Sequence, residues 1–387
     1  MTEWRSSTWG EEISLEYGKA LRGYGDATGE IPVFGTNGPV GWTDEPLARG
    51  PGVILGRKGA YRGVHFSRQS FFVIDTAYYV VPKTELDMRW LYYAMIFHKL
   101  GEIDDGSPIP STTRAAVYPR ELKVPKIDEQ RAIAAILGAI DDKIDLNKEM
   151  QATLEEMARV LFKSWFIDFD PVRAKMEGRD TGLAPDLAAL FPDRLVESEI
   201  GGIPESWEIG PLDSALVLQR GFDLPAPKRV PGYYPVLAAS GPSGTHNAFM
   251  VKGPGVTTGR SGVLGKVFYI DTDFWPLNTS LWVKEFRRSS PVYAFHLLQN
   301  IDLGGFNAGS AVPTLNRNHI HTLPTLLPPT ELMRTFEQIA AAAFARKKSA
   351  EQEVATLSSL RDLLLPKLVS GEIRTKDAEK LVGEVGE

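Results

Sequence analysis

The chain has 387 residues, more than one hydrophobic core of ordinary size organises, so two or three domains are expected. It carries 43 Lys and Arg against 49 Asp and Glu, has no cysteine, and contains no apolar run near the roughly 18 residues that cross a bilayer. Disulfide frameworks, thiolate metal sites and a membrane-spanning helix are excluded; Met1 to Gly10 lack the basic-then-apolar pattern of a secretion signal, and a cytoplasmic location is expected.

In chain order, the first stretch reads as short strands broken by turns, with Gly52 to Leu55 and Ser70 to Val81 as strands, Trp90 to Lys99 as a short helix and Pro110 to Arg114 as a polar loop. Between Pro46 and Gln69 lie Arg49, Arg57, Lys58, Arg62 and Arg68 and no acidic residue, a basic island in a chain of net charge -6. Pro125 then introduces a long helix with Asp128 as its N-cap. Its apolar heptads place Ile133, Ile140, Asn147, Leu154 and Leu161 at a and Ile136, Met150 and Met157 at d, with Ile144 broadening the stripe. The acidic excess from Glu121 to Met157 reads as a solvated face or a protein-contact surface, and pairs such as Asp141 and Asp142 as exposed.

Phe169 to Gly202, rich in Pro, Gly and charge around a short apolar patch at Leu187 to Phe191, reads as a connector. The second half repeats the first, with strands at Gly255 to Thr258 and Phe274 to Val283 and a polar loop at Pro313 to Arg317. Gly210 to Ile270 is a second basic island, about six basic to two acidic residues. A second helix begins after Pro328-Pro329 with Thr330 as cap, carries Phe336, Ala343, Ala350, Leu357 and Leu364 at a with Ile339 and Leu360 at d, and is strained or ended by Pro366. From Gly371 onward the tail is polar and expected to fray.

Sliding the chain by 203 positions aligns its halves without a gap. Pro32-Val33 falls on Pro235-Val236, Gly50-Pro51-Gly52-Val53 on Gly253-Pro254-Gly255-Val256, Gly56-Arg57 on Gly259-Arg260, Gly106-Ser107 on Gly309-Ser310, and Arg114 on Arg317. About 22 identities lie between Pro32 and Pro125, many of them at Gly and Pro, which fix backbone geometry. Two copies of one scaffold therefore carry different side chains. The reading is α+β: two similar domains joined by two long helices that form an antiparallel coiled-coil spacer, with a pseudo-twofold internal repeat. The divisions are 1–127 and 203–329 for the domains, 128–168 and 330–370 for the helices, 169–202 for the connector and 371–387 for a flexible tail.

The sequence carries no familiar catalytic motif. Gly259 to Lys266 misses the spacing and following hydroxyl of a phosphate-binding loop, His319 and His321 have the flanks of no common zinc motif and read as polar loop positions, and no Gly-x-Ser-x-Gly elbow is present. An enzyme with unrecognised residues and a pure assembly scaffold remain as alternatives.

The tract Leu161-Phe-Lys-Ser-Trp-Phe-Ile-Asp-Phe-Asp-Pro-Val-Arg-Ala-Lys-Met-Glu-Gly178 resembles the central region of type I restriction-modification specificity subunits. Leu360-Arg-Asp-Leu-Leu-Leu-Pro-Lys-Leu-Val-Ser-Gly-Glu-Ile373 is similar to the end of that family's second helix, and Ile203-Pro-Glu-Ser-Trp207 to the start of its second recognition domain. The resemblance implies a non-catalytic, ring-like subunit whose two target-recognition domains each read one half of an asymmetric, interrupted DNA site. Methylation subunits would bind S-adenosylmethionine and modify adenines, and motor-nuclease subunits would use ATP and Mg; this chain would hold no cofactor or metal itself. The helices would supply much of the docking surface for the methylation subunits.

No base-contacting residue carries over by motif, so contacts are inferred from residue type. Arg57, Lys58 and Arg62 with Thr112, Thr113 and Arg114 are the candidates in the first copy, and Arg260, Ser261 and Lys266 with Asn316 and Arg317 in the second. Arginine and lysine suit phosphates and guanine edges, and asparagine suits adenine.

Overall fold

The computed structural model describes residues 4–59, 61–104, 106, 109–306, 313–376 and 378. The chain divides into two units, one of residues 1–148 and 351–387, the other of residues 149–350. Ser107, Gly309 and Ser310 of the repeat lie outside the described residues, as do 377 and 379–387 of the tail.

The first unit opens with β1 (Arg5–Thr8), α1 (Trp9–Glu12) and β2 (Ile13–Tyr17), then β3 (Ile31–Gly35), β4 (Gly38–Thr43), β5 (Gly52–Gly56), β6 (Val64–Ser67), β7 (Phe72–Val73) and β8 (Ala77–Pro82). Next come α2 (Met88–Phe97), α3 (Arg114–Val117), β9 (Glu121–Val124) and the long helix α4 (Ile127–Phe166). Strands β2-β8-β5-β6 make one sheet, β4-β3-β7 a second, and β1 pairs with β9. The expected strand from Ser70 to Val81 is in fact two, because a turn at 75–76 moves the chain from one sheet to the other.

The second unit holds α5 (Asp170–Met176), α6 (Pro185–Ala188), β10 (Leu195–Ser198), β11 (Gly201–Pro204), β12 (Glu208–Pro211), β13 (Leu216–Arg220), β14 (Tyr234–Ala238), β15 (Gly241–His246), β16 (Gly255–Gly259), β17 (Val267–Ile270), β18 (Trp275–Pro276) and β19 (Ser280–Phe286). After these come α7 (Pro291–Gln299), α8 (Arg317–His321), β20 (Pro324–Leu327) and the second long helix α9 (Thr330–Ser370). Its sheets, β13-β19-β16-β17 and β15-β14-β18 with the pair β12-β20, reproduce the first unit's pairing strand for strand. The shared glycines have shared reasons. A Cβ on Gly52 or Gly255 would lie 2.4 or 2.5 Å from the ring of Phe71 or Phe274, the same residue of each copy. Phe274 to Val283 is divided as its counterpart is.

In each unit a stretch of α4 runs antiparallel to a stretch of α9. In the first, Ile133, Leu137, Ile140 and Ile144 pack with Leu364, Leu365, Leu368 and Val369, and Lys143 pairs with Glu353 at 3.3 Å. In the second, Ala158, Phe162, Trp165 and Phe166 pack with Leu332, Met333, Phe336 and Ala340.

The expected d positions are corrected. Met157 and Ile339 are 60% and 44% exposed, whereas Leu137, Ile144, Ala158 and Trp165, and Ala340 and Leu368 in α9, are buried. The second core position thus follows the first by four residues, not three, in both helices. Asp128 is not a cap either, since α4 already begins at Ile127. Nor does Pro366 end α9, which runs on to Ser370. Leu364, Leu365, Leu368 and Val369, buried around Pro366, outweigh the lost backbone hydrogen bond. Beyond the helix, Arg374 bonds Glu129 at 3.1 Å and Ala378 is fully buried, so this part of the tail is packed and not frayed. The connector packs as well: Phe169, Val172 and Phe191 are buried in the second unit's aromatic core.

Candidate nucleic-acid interface

In the first unit the candidates converge on one edge of the β2-β8-β5-β6 sheet. Arg57 follows β5 directly, and its carbonyl accepts from Thr112 N at 2.9 Å, which ties the loop before α3 to the strand end. Lys58 bridges to Ser111, and Gly59 N donates to Pro110 O. Between the two arginines stands Tyr17, at the end of β2. The Arg57 guanidinium carbon lies 4.8 Å and that of Arg114 4.6 Å from its ring centre. Such stacking holds a guanidinium in place while leaving its edge free to bond. Burial, then a bond with Tyr17, pushes the Tyr78 hydroxyl up to about 12.

Several candidates are spent on the fold. Arg62 donates to Thr112 Oγ1 at 3.1 Å, Gly59 O at 2.5 Å and Ile103 O at 2.8 Å, so each nitrogen of its fork is engaged within the protein. Thr112 is fully buried, and Thr113 caps α3 by accepting from Ala116 N. Arg114 donates to Leu15 O and lies 3.6 Å from Glu16. Lys58 alone of the six is exposed and makes no side-chain hydrogen bond or ion pair with a described residue. Arg68 of the basic island is committed to Asp142, with Arg89 on the same carboxylate. Asp141 accepts from Tyr93 Oη at 2.7 Å and from Arg361 at 3.1 Å. The pair read as exposed therefore joins α2 to α4.

The second unit builds the same edge. Leu315 N donates to Arg260 O at 2.8 Å, Ser261 bridges to Thr314, and Gly262 N donates to Pro313 O. Asn316 is the N-cap of α8, its side chain accepting from Asn318 N at 3.0 Å, so its amide oxygen is engaged. Arg317 is exposed, and Arg260 donates to Asn278 O at 3.2 Å. Lys266 lines a cleft of about 460 Å³ with Arg159, Gln299 and Asn300. His321, read as a polar loop position, sits on α8 and its Nε2 accepts from Leu218 N at 2.9 Å. Tyr118 Oη accepts from Leu15 N at 3.0 Å in the matching place.

Sequence reasoning missed Glu16 and Tyr17, because nothing in the one-dimensional pattern marks a strand end as the neighbour of loops 40 and 97 residues away. Among the described residues no group of three or more His, Asp or Glu could hold a metal ion, and no helix is long and apolar enough to cross a membrane.

Comparison with known proteins agrees with this architecture. Residues 19–156 match the family model of the type I restriction modification DNA specificity domain. The chain is 23% identical over 326 residues to the type I restriction enzyme MjaIX specificity subunit of Methanocaldococcus jannaschii, covering 77% of this chain and 72% of that one. It is 24% identical over 377 residues to the HindI specificity subunit of Haemophilus influenzae, covering 78% and 81%. A crystal structure of the type I restriction-modification system S subunit from M. genitalium superposes with a TM-score of 0.67 at 18% identity, covering 94% of this chain and 96% of that one. Residues 19–156 thus match the specificity-domain family, and most of the chain is similar in sequence to type I specificity subunits and shares the fold of one of them.

Proposed function

We propose that this chain recognises a bipartite, asymmetric site in double-stranded DNA, one half-site per recognition unit, and positions methyltransferase and restriction subunits on it without catalysing a reaction itself. The observation that carries the reading is the repeat: one backbone framework is built twice, and the loops after β5 and β16 present different side chains from the same place. Two copies of a framework suit two half-sites, and diverged side chains suit halves of different sequence. S-adenosylmethionine, ATP and Mg would then bind the partner subunits, and the assembly would act in the cytoplasm, where its DNA is.

Single-molecule methylome sequencing tests this, comparing a host that expresses the chain with its methylation subunit and a strain lacking the chain. A split, asymmetric, adenine-methylated motif that appears only with the chain is the expected result. Unchanged methylation by an active methylation subunit would overturn the reading.

A further inference from the structure

At one point the two recognition edges differ sharply in charge. The offset of 203 places Arg220 on Tyr17, Gln219 on Glu16, Arg260 on Arg57 and Arg317 on Arg114. In the first unit these positions are in contact, with Tyr17 between the two guanidiniums and Glu16 against Arg114.

The backbone that gathers them recurs. Tyr17 and Leu55 both pair with Tyr78, and Arg220 and Thr258 both pair with Leu281. In each sheet the two strands that flank the shared antiparallel partner, β2 and β5 about β8 and β13 and β16 about β19, run parallel to one another, so they end on the same edge. The third position is fixed by the matched bonds Tyr118 to Leu15 and His321 to Leu218, and by Thr112 to Arg57 and Leu315 to Arg260.

What neutralises the first edge is missing from the second. The carboxylate has become an amide and the aromatic ring a third guanidinium. Arg220 and Arg317 are exposed, and neither side chain makes a hydrogen bond or ion pair with a described residue. Asp223 is engaged by the Asn278 amide, and Asp213 acts on His321. Three cations held together by a rigid edge repel one another until an anion joins them. The guanidinium fork matches the oxygens of a phosphodiester.

We propose that Arg220, Arg260 and Arg317 grip a backbone phosphate of double-stranded DNA, an anchor that the first recognition unit lacks at the equivalent place. The assignment rests on the DNA-reading function proposed above. A phosphate contact positions a protein without reading sequence, so the grip fixes the second unit's register on the duplex.

The test is equilibrium binding of the full chain, with its methylation subunit, to a duplex carrying the methylated motif and to an unrelated duplex, across a range of salt. The double variant R220Y/R317Q is expected to lower the slope of log K against log salt by about 0.9. It should weaken both duplexes by the same factor and leave the methylated motif unchanged. R220Q alone should move the slope in the same direction. Both side chains are exposed, and tyrosine is the residue that the first unit carries there, so the fold is expected to persist.

A wild-type slope in the double variant would overturn the grip while leaving DNA recognition intact. Loss of a base from one half of the motif at unchanged slope would also overturn it, since the arginines would then be reading a base. Failure of the wild-type complex to bind the duplex would remove the DNA reading itself, and the grip with it.

Discussion

Asn147 occupies a core position of α4, fully buried, and neither its amide nitrogen nor its amide oxygen has a partner among the described residues. A desolvated, unpaired amide is costly, so Asn147→Leu is expected to stabilise the first unit by about 1–2 kcal/mol. That would appear as a rise in its Tm of roughly 2–4 °C per kcal/mol. A fall in Tm would instead show that the position requires the smaller, polar side chain. At the two edges Lys58 and Lys266 are exposed lysines whose side chains bond no described residue. Lys58→Glu should impair recognition of one half-site and Lys266→Glu that of the other, read as separate losses in the methylome; equal effects on both halves would sink the assignment. Residue type did identify which loops meet at each edge. It could not say which arginines are spent, because Arg62 is held by carbonyls from Gly59 and Ile103 that only the fold brings together.

At the scale of elements, the repeat hides a chemical contrast. In the first unit α2 is joined to α4 by ions, with Arg68 and Arg89 on Asp142 and with Tyr93 and Arg361 on Asp141. At the places matching Arg89, Tyr93, Asp141 and Asp142 the second unit has Val292, His296, Phe344 and Ala345, and α7 packs on α9 through rings, with Phe295 and Phe344 centres 5.9 Å apart, while Asp271, at the place of Arg68, keeps one ion pair with Lys348 at 2.8 Å. Asp141→Ala leaves the Tyr93 hydroxyl without its acceptor and the Arg361 guanidinium with Asp362 in place of two carboxylates, and should cost the first unit about 1–3 kcal/mol in urea unfolding. A loss within error would mean that solvent replaces the carboxylate. Both helices and their apolar stripes were legible in the sequence because heptads survive any choice of partner. Their phase was not. Met157 and Ile339 are as apolar as a core residue should be, and only the neighbouring helix decides that Ala158 and Ala340 are covered instead.

Across the whole molecule the units should yield to acid in order. His296, buried among Phe162, Phe336 and Phe344, is held down to about 4 by burial, from an ordinary value of 6.5. The unfolded chain binds that proton more readily, so stability of about 3 kcal/mol, present in full above pH 6.5, is lost as pH falls toward 4. Glu12 of the first unit is pushed up by burial but held down more strongly by bonds from Arg5, Ser7 and Thr84, and reaches about 2. Its contribution is present above about 4.5 and is lost only as pH falls toward 2. Hydrogen exchange against pH should therefore show the second unit opening first, and His296→Phe should abolish that lead. Loss of protection in both units at one pH would count against the ordering.

The division into 1–148 with 351–387 and an uninterrupted 149–350 also bears on how the protein is made. The second unit is complete once residue 350 has left the ribosome. Residues 1–148 of the first have emerged long before, yet Leu364, Leu365, Leu368 and Val369 of its core are translated only after the whole second unit. At about 5–20 residues per second, the intervening stretch keeps that apolar surface uncovered for roughly 10–40 s. During synthesis the first recognition unit is thus the one exposed to chaperones and proteases, and a transcript cut short near residue 350 would release a finished second unit bound to an unfinished first.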